Sequence, residues 1–462
     1  MRWPSLSGRG ILLLTLVGWI VGPPSLAQAQ NEPLAGVEVD AQGVLRKVLM
    51  DPRSGELMRQ RIAAARASQN PELAAFSKLR MISLNRLEQA VRDKDGALTD
   101  EMRYLAGLLR LRYVFLYPDS KDIVIAGEAE GWVSDPVGRV VGITSRRPVL
   151  QLQDLVVALR TFPPGGEGAA VIGCSIDPTP EGLAAMQQFL RSVPSSFPGG
   201  SQDAVAAQIT EGLRASLGYQ RVKVKGVSPR THFAQVLVEA DYRMKLIGIG
   251  LEAPPVRMVS FIDQAQPAQV SRNALFRWYF VPDYECVRLS EDGLAMQLVG
   301  DGVKLVGEDE MVASDGQRRS ASRANKASQM FTLSFTKKYS ELADRSPVYA
   351  ELRNLIDLAV AAAHIQQQDY YGKAGWKMPL FGSEQQFAVE TYHAPQQVES
   401  AVAAVMRGSR LMTPIGGGVH INAQKALEPE NLLADDGGAV KKLHAQIKPE
   451  LAKGQWWWDV GK

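Results

Sequence analysis

Cysteine is scarce in this chain of 462 residues, which contains only Cys174 and Cys286. Two cysteines cannot build a disulfide-stapled scaffold, and a chain of this length can bury hydrophobic cores of ordinary size without one. Both residues fall in apolar, strand-like runs, VIGCSI and YECVRL. Export would permit a disulfide between them, but two buried free thiols in separate elements are the preferred interpretation.

Motifs for the common catalytic chemistries are also missing. No zinc-ligand spacing occurs among the five histidines, which are His232, His364, His393, His420 and His444. The chain contains no H-E-x-x-H, no G-x-S-x-G and no Walker loop. The glycine run at 416–418 could hold an anion, although a flexible turn is the preferred interpretation. We therefore expect neither a cofactor nor a metal ion.

The chain has little net charge and, beyond its N-terminus, no long apolar run. The formal net charge is +3, from 52 Lys and Arg against 49 Asp and Glu. This balance gives no electrostatic reason to expect nucleic acid or an anionic membrane as a partner. No later stretch approaches the ~18 apolar residues that a membrane-spanning helix requires. We expect no nucleic-acid partner and no membrane span after the N-terminal segment is removed.

The first 29 residues have the three parts of a secretory signal peptide. Arg2 and Arg9 form the positive region, residues 11–21 are apolar, and Ala27 and Ala29 flank Gln28 in an A-x-A cleavage site. Cleavage after Ala29 would leave 462 − 29 = 433 residues with a net charge of 3 − 2 = +1. An uncleaved N-terminal anchor is the alternative. The expected location is the periplasm or the cell surface.

Composition and periodicity predict an α+β protein. The chain is 45% hydrophobic and 22% charged, which is typical of globular proteins. At ~150 residues per domain, the length suggests two or three domains. The predicted segments after the signal peptide are a hairpin and helical subdomain (30–112), a mixed α/β region (113–198), an α+β domain (199–370), and a C-terminal region with an amphipathic helix and a Trp-rich tail (371–462).

Within residues 199–370, four strands between 276 and 306 are separated by the turn dipeptides Pro282-Asp283, Asp292-Gly293 and Asp301-Gly302. This spacing predicts an antiparallel meander. Two long helices follow, at 329–343 and 347–368, with Ser346 as the N-cap of the second. We expect this helical hairpin to cover the apolar face of the meander.

Residues 233–252, FAQVLVEADYRMKLIGIGLE, pack charges between two apolar blocks. The pattern favours a strand at 233–238 and a short helix at 239–247, with Gly248 as its stop. Ion pairs at the helix ends would explain its charges. The functional alternative is an acid/base cluster in a cleft, formed by Glu239, Asp241, His232 and Arg243. These four residues are the candidate catalytic site.

Three runs in this half of the chain carry a resemblance: VLVEADYRMKLIGIGLE, DGLAMQLVGDGVKL and FTLSFTKKYSELADRSPVYAELRNLIDLAV. Over about residues 220–370 the chain resembles a family of exported planctomycete proteins known only as a domain of unknown function. The resemblance implies export and a shared domain. It transfers no catalytic residue, because that family has no established activity.

The expected function is that of a non-enzymatic scaffold or binding module of the cell envelope, with an envelope protein or a glycan as partner. The missing motifs and the pairing of charges at helix ends favour this interpretation. The alternative is a periplasmic hydrolase that uses Glu239 and Asp241 as acid and base. The three tryptophans at 456–458 are expected to dock onto a helix face, with a platform for sugar rings as the alternative.

Overall fold

The computed structural model describes residues 34–193, 202–265, 274–312, 317–321, 325–402, 415–449 and 451–460. The signal peptide predicted at 1–29 lies outside the described residues. Among the described residues, no helix is both long enough and apolar enough to cross a membrane.

A nine-stranded sheet forms one half of the fold. Its strands are β1 (Leu34–Val39), β2 (Val44–Leu49), β8 (Ile172–Asp177), β9 (Tyr219–Lys225), β10 (Ala274–Pro282), β13 (Val303–Val312), β14 (Arg318–Ser320), β15 (Gln397–Glu399) and β16 (Ile415–Ile421). Their order is β1-β2-β15-β9-β8-β16-β10-β13-β14. Strands from the two ends of the chain are therefore neighbours in one sheet.

A seven-stranded sheet forms the other half. Its strands are β3 (Ser77–Ser83), β4 (Tyr113–Tyr117), β5 (Asp122–Ala129), β11 (Val287–Leu289), β12 (Ala295–Leu298), β17 (Leu432–Ala434) and β18 (Trp457–Asp459). Their order is β17-β11-β12-β4-β5-β3-β18. A separate antiparallel pair joins β6 (Trp132–Ser134) and β7 (Val140–Gly142). Both large sheets take strands from several predicted segments, and the domain boundaries themselves stay predictions.

Fourteen α-helices are present in the described ranges, which confirms the α+β class. They are α1 (Ser54–Ser68), α2 (Pro71–Ala74), α3 (Leu84–Arg92), α4 (Asp100–Arg103), α5 (Leu152–Thr161), α6 (Pro180–Ser192), α7 (Gln202–Leu217), α8 (His232–Gly248), α9 (Phe261–Gln264), α10 (Lys326–Lys337), α11 (Tyr339–Arg345), α12 (Pro347–Gln367), α13 (Tyr370–Ala374) and α14 (Ala439–Gln446).

Helix α8 is the centre of the packing. One of its sides lies on β8, β16 and β10, while α5 and α12 cover the others. From Phe233 to Gly248, every residue except Gln235 is buried. The prediction of a strand at 233–238 before a short helix was wrong. A helix covered on all sides has no polar stripe, so the helical period does not show in its sequence.

The four strands predicted as a meander exist, but they divide between the two sheets. β10 pairs with β13 in the nine-stranded sheet, and β11 pairs with β12 in the seven-stranded sheet. The meander topology was therefore wrong. Helix α10 does lie on β13, and the rings of Phe335 and Tyr349 meet Phe280 of β10 at centroid distances of 5.4 and 6.0 Å. The helices after the strands thus cover part of their apolar surface, as expected.

Two other stretches differ from their predicted structure. Within the hairpin and helical subdomain predicted at 30–112, strand β3 separates α2 from α3, and Ser83 caps α3 by accepting from the N–H of Arg86 at 3.4 Å. Residues 416–418 were expected to form a flexible turn. They instead lie inside β16, between β10 and β8. At that position Gly417 and Gly418 allow the backbones of β10 and β8 to approach closely, because a Cβ at either residue would lie 1.9 Å from a carbonyl oxygen of the neighbouring strand.

The two cysteines are buried free thiols in different parts of the fold, as preferred from the sequence. The tryptophan tail does dock, and its contacts include a helix as well as a strand, since the indole N–H of Trp457 donates to Glu101 in α4. Strand β18 pairs antiparallel with β3 at the edge of the seven-stranded sheet, and Trp456 is buried. The expected docking on a helix is met by Trp457, and the tail adds backbone hydrogen bonds to β3 that were not expected.

Helix α12 begins at Pro347, as predicted, but Ser346 does not cap it. The Ser346 hydroxyl is buried and has no hydrogen-bond partner among the described residues. We expect Ser346→Ala to leave the free energy of unfolding unchanged or to raise it by up to ~1 kcal/mol, because it removes an unpaired buried hydroxyl. Urea denaturation measures this change.

Thr179 provides the matched control, since its hydroxyl accepts from the N–H of Gly182 at 3.0 Å and caps α6. Thr179→Ala should cost ~1 kcal/mol. A loss of the same size in Ser346→Ala would contradict the absence of a cap at α12.

Candidate functional site

A cleft of about 970 Å³ opens beside the first half of α8. Strand β1, the turn between β6 and β7, the start of α5 and residues 387–393 form its other walls. This volume is at the upper end of the range of ~300–1,000 Å³ found for ligand pockets. The cleft therefore has room for a small molecule.

The helical period decides which residues of α8 reach the cleft. His232, Val236 and Glu239 are four and three positions apart, and all line it. Asp241 is nine positions after His232, which is about 180° around a helix of 3.6 residues per turn. The structure therefore places His232 and Glu239 in the cleft and Asp241 on the opposite side of the helix, toward the sheet. Arg243 does not line the cleft.

His232 is the first residue of α8, directly after the cap Thr231, whose hydroxyl accepts from the N–H of Ala234 at 3.2 Å. Its Nδ1 lies 2.8 Å from Oδ2 of Asp154, in the first turn of α5. Burial alone would lower the pKa of His232, but the Asp154 carboxylate outweighs burial and raises it to about 9. At neutral pH the ring is an imidazolium, so Nδ1–H donates to Asp154.

Glu239 takes part in a buried ion-pair network. The guanidinium of Arg139, just before β7, donates to both Glu239 and Glu351 of α12. Arg243 donates to Glu239 at 3.3 Å and to Glu252 at 2.7 Å. Burial raises the pKa of Glu351, against the opposing effect of Arg139. Each of these three carboxylates thus has at least one arginine partner, and Glu239 has two.

Asp241 is fully buried and pairs with Lys245 at 2.8 Å. The Lys245 ammonium also donates to the carbonyls of Ile176 and Gly417, at 2.9 and 3.2 Å, and so ties α8 to β8 and β16. Burial raises the pKa of Asp241 to about 6, while Lys245 opposes the rise. Ion pairing within one helix, expected from the sequence, describes this pair well.

Sequence reasoning found His232 and Glu239 but missed their partners Asp154 and Arg139, and also Glu351, which shares Arg139 with Glu239. These partners come from three elements distant in the chain, and no spacing pattern connects them to α8. Within the described part of the chain, no group of three or more His, Cys, Asp or Glu side chains is placed to hold a metal ion. The side chains described above place hydrogen-bond donors in the cleft. The buried carboxylates beside it are paired with cations.

Residues 174–261 match a family model described as a protein of unknown function (DUF1598). This confirms the expected domain of unknown function, and the match overlaps the region predicted from the resemblance in residues 220–261. The matched segment runs from β8 through α8, so it contains all four candidate residues, whereas Asp154, Arg139 and Glu351 lie outside it. Neither the curated proteins nor the solved structures contain a significant match to this chain.

Proposed function

We propose that this chain is an exported envelope protein that acts as a non-enzymatic binding module, with the cleft beside α8 as its binding site. The N-terminal signal pattern supports export to the periplasm or the cell surface. A preformed concave site with a few polar groups directed into it is the usual form of a ligand pocket. The partner of such a module is an envelope component, a glycan or a protein.

The observation that carries this proposal is the pairing of Glu239 and Asp241 with cations. Acid/base hydrolysis needs one carboxyl group that can give a proton and another that can take one within reach of the substrate. Glu239 is held between Arg139 and Arg243, and Asp241 is buried against Lys245 on the far side of the helix. This arrangement favours a structural role for both residues over the hydrolase alternative.

The His232–Asp154 pair is the feature most similar to a catalytic arrangement, because a carboxylate orients the base in many hydrolases. A general base must be unprotonated at the working pH. With a pKa raised to about 9 by Asp154, against the effect of burial, His232 is protonated at neutral pH. It is suited to donating a hydrogen bond to a ligand rather than to accepting a proton from water.

The test compares wild type with Glu239→Gln in two assays: a broad hydrolase screen and retention of partners from envelope extract. The fold should survive this substitution because Arg139 keeps Glu351 and Arg243 keeps Glu252 as partners. Circular dichroism checks the fold. Glu341→Gln is the matched control, since Glu341 is an exposed partner of Lys338 away from the cleft.

In the hydrolase screen we expect no turnover from wild type, Glu239→Gln or Glu341→Gln. In the retention assay we expect wild type and Glu239→Gln to retain the same partner. Turnover by wild type that disappears in Glu239→Gln, with the fold intact, would refute the non-enzymatic proposal. Turnover that persists in Glu239→Gln would also refute it and would place the chemistry elsewhere.

A further inference from the structure

The imidazolium of His232 has two N–H groups, and only one of them has a hydrogen-bond partner among the described residues. Nδ1–H donates to Asp154 at 2.8 Å. Within the described residues, Nε2 has no hydrogen-bond partner, although the ring lines the cleft and keeps 18% of its side chain exposed. A charged donor that faces a cleft without an acceptor is a site for an acceptor from outside the chain.

Arg230, two residues before His232, is a second cation of this kind. Its side chain is exposed and lines both the main cleft and a smaller adjoining pocket of about 210 Å³. Its guanidinium forms no ion pair or hydrogen bond with any described residue, whereas Arg139 and Arg243 are each held by two carboxylates. A guanidinium offers paired N–H donors that match the two oxygens of a carboxylate or a phosphate.

The surroundings of these two cations suit an anionic group attached to a less polar body. Phe387 and Val389 are buried residues in the wall of the cleft, and the ring of Tyr392 lies 6.1 Å from that of His232. Two acidic residues also line the cleft, Glu38 and Glu390, and both are exposed to water, which weakens their repulsion of a ligand. The buried carboxylates nearby are already neutralised by cations.

We propose that the cleft binds the anionic group of a small ligand, a carboxylate or a phosphate, between Nε2–H of His232 and the guanidinium of Arg230. Asp154 acts as a positioning residue that keeps the imidazole ring oriented and charged. This inference rests on the proposed binding function and adds the chemical class of the ligand. Carboxylate and phosphate share the required chemistry, so the experiment separates them.

The experiment follows the ring signals of His232 by NMR in the full chain with labelled histidine. Acetate and inorganic phosphate are titrated as anionic probes, with glucose as the neutral and ethylammonium as the cationic comparison. We expect a saturable shift of the His232 signals with at least one anion and none with the other two probes. The anion with the lower dissociation constant identifies the preferred head group.

Three variants assign the binding to the proposed residues. Arg230→Gln should weaken anion binding at least tenfold without affecting the fold, because this side chain is exposed and unpaired within the described chain. Asp154→Asn should also weaken it, because the imidazole stays but loses its charge. Arg53→Gln is the control, since Arg53 is 87% exposed and lies outside the cleft. This last variant should bind as wild type does.

The inference is overturned if neither anion shifts the His232 signals, or if Arg230→Gln and Arg53→Gln bind the anions equally well. Saturable binding of glucose or ethylammonium in the cleft, without anion binding, would overturn the anionic class but leave a binding module in place. If wild type shows turnover and Glu239→Gln does not, the proposed binding function itself is refuted. Failure of the anion inference and failure of the proposed function therefore give different results.

Discussion

Replacing Gly417 with alanine is expected to lower the free energy of unfolding by about 3 to 5 kcal/mol, one of the two largest effects predicted for this chain. A Cβ atom at this position would lie 1.9 Å from the carbonyl oxygen of Trp278 in the neighbouring strand β10. The φ angle of +122° is also one that alanine rarely adopts. Relief would require β10 and β16 to separate in the middle of the sheet.

Gly437 is the matched control for the backbone angle alone. Its φ is +73°, but no atom lies within 4 Å of the position that a Cβ would occupy. Gly437→Ala should therefore cost only ~1 kcal/mol. Urea denaturation of both variants gives the comparison, and equal losses would show that contact with Trp278 contributes nothing.

Asp459→Asn is expected to lower the free energy of unfolding by about 3 to 5 kcal/mol, because it leaves a buried cation without its counter-ion. Arg80 is fully buried, and its guanidinium donates to both carboxylate oxygens of Asp459, at 2.8 and 3.1 Å. The ring of Trp457 lies over the same guanidinium at 4.8 Å. Thermal and urea unfolding measure the loss.

Asp51→Asn is the control. Asp51 pairs with Arg53 in water, so this variant should lose less than ~0.5 kcal/mol of the free energy of unfolding.

Removal of residues 455–462 should destabilise the protein at least as much as Asp459→Asn, because strand β18 and its ion pair are lost together. If the truncated chain kept its stability but lost binding to cell-wall glycan, the tryptophans would be a sugar platform rather than a structural strand.

The sequence predicted elements well where a local signal marks their ends. Helix α12 is buried along most of its length, yet it was predicted at 347–368 and spans Pro347–Gln367, because a proline marks its first position. Helix α8 and strand β16 were predicted wrongly, because both are enclosed by other elements and no proline marks their first position. Their residue patterns depend on the elements they pack against, and those elements are distant in the chain.

The candidate site was also predicted only in part from the sequence. His232 and Glu239 were identified because charged residues in an apolar stretch are visible in a sequence. Their separation from Asp241 was not, because it depends on residues 233–238 being helical rather than extended. Asp154 and Arg139 depend on the packing of α5 and the β6–β7 hairpin against α8, which no local pattern encodes.

The strand order of the two sheets also determines when the chain can fold. β16 fills the position between β8 and β10, and β18 completes the edge beside β3, so both sheets need strands from residues 415–459. Contacts this distant in sequence make folding slow. A nascent chain that stops near residue 400 would still lack the strand between β8 and β10 and would expose their edges to aggregation. Residues 415–459 must therefore be synthesised before both sheets are complete.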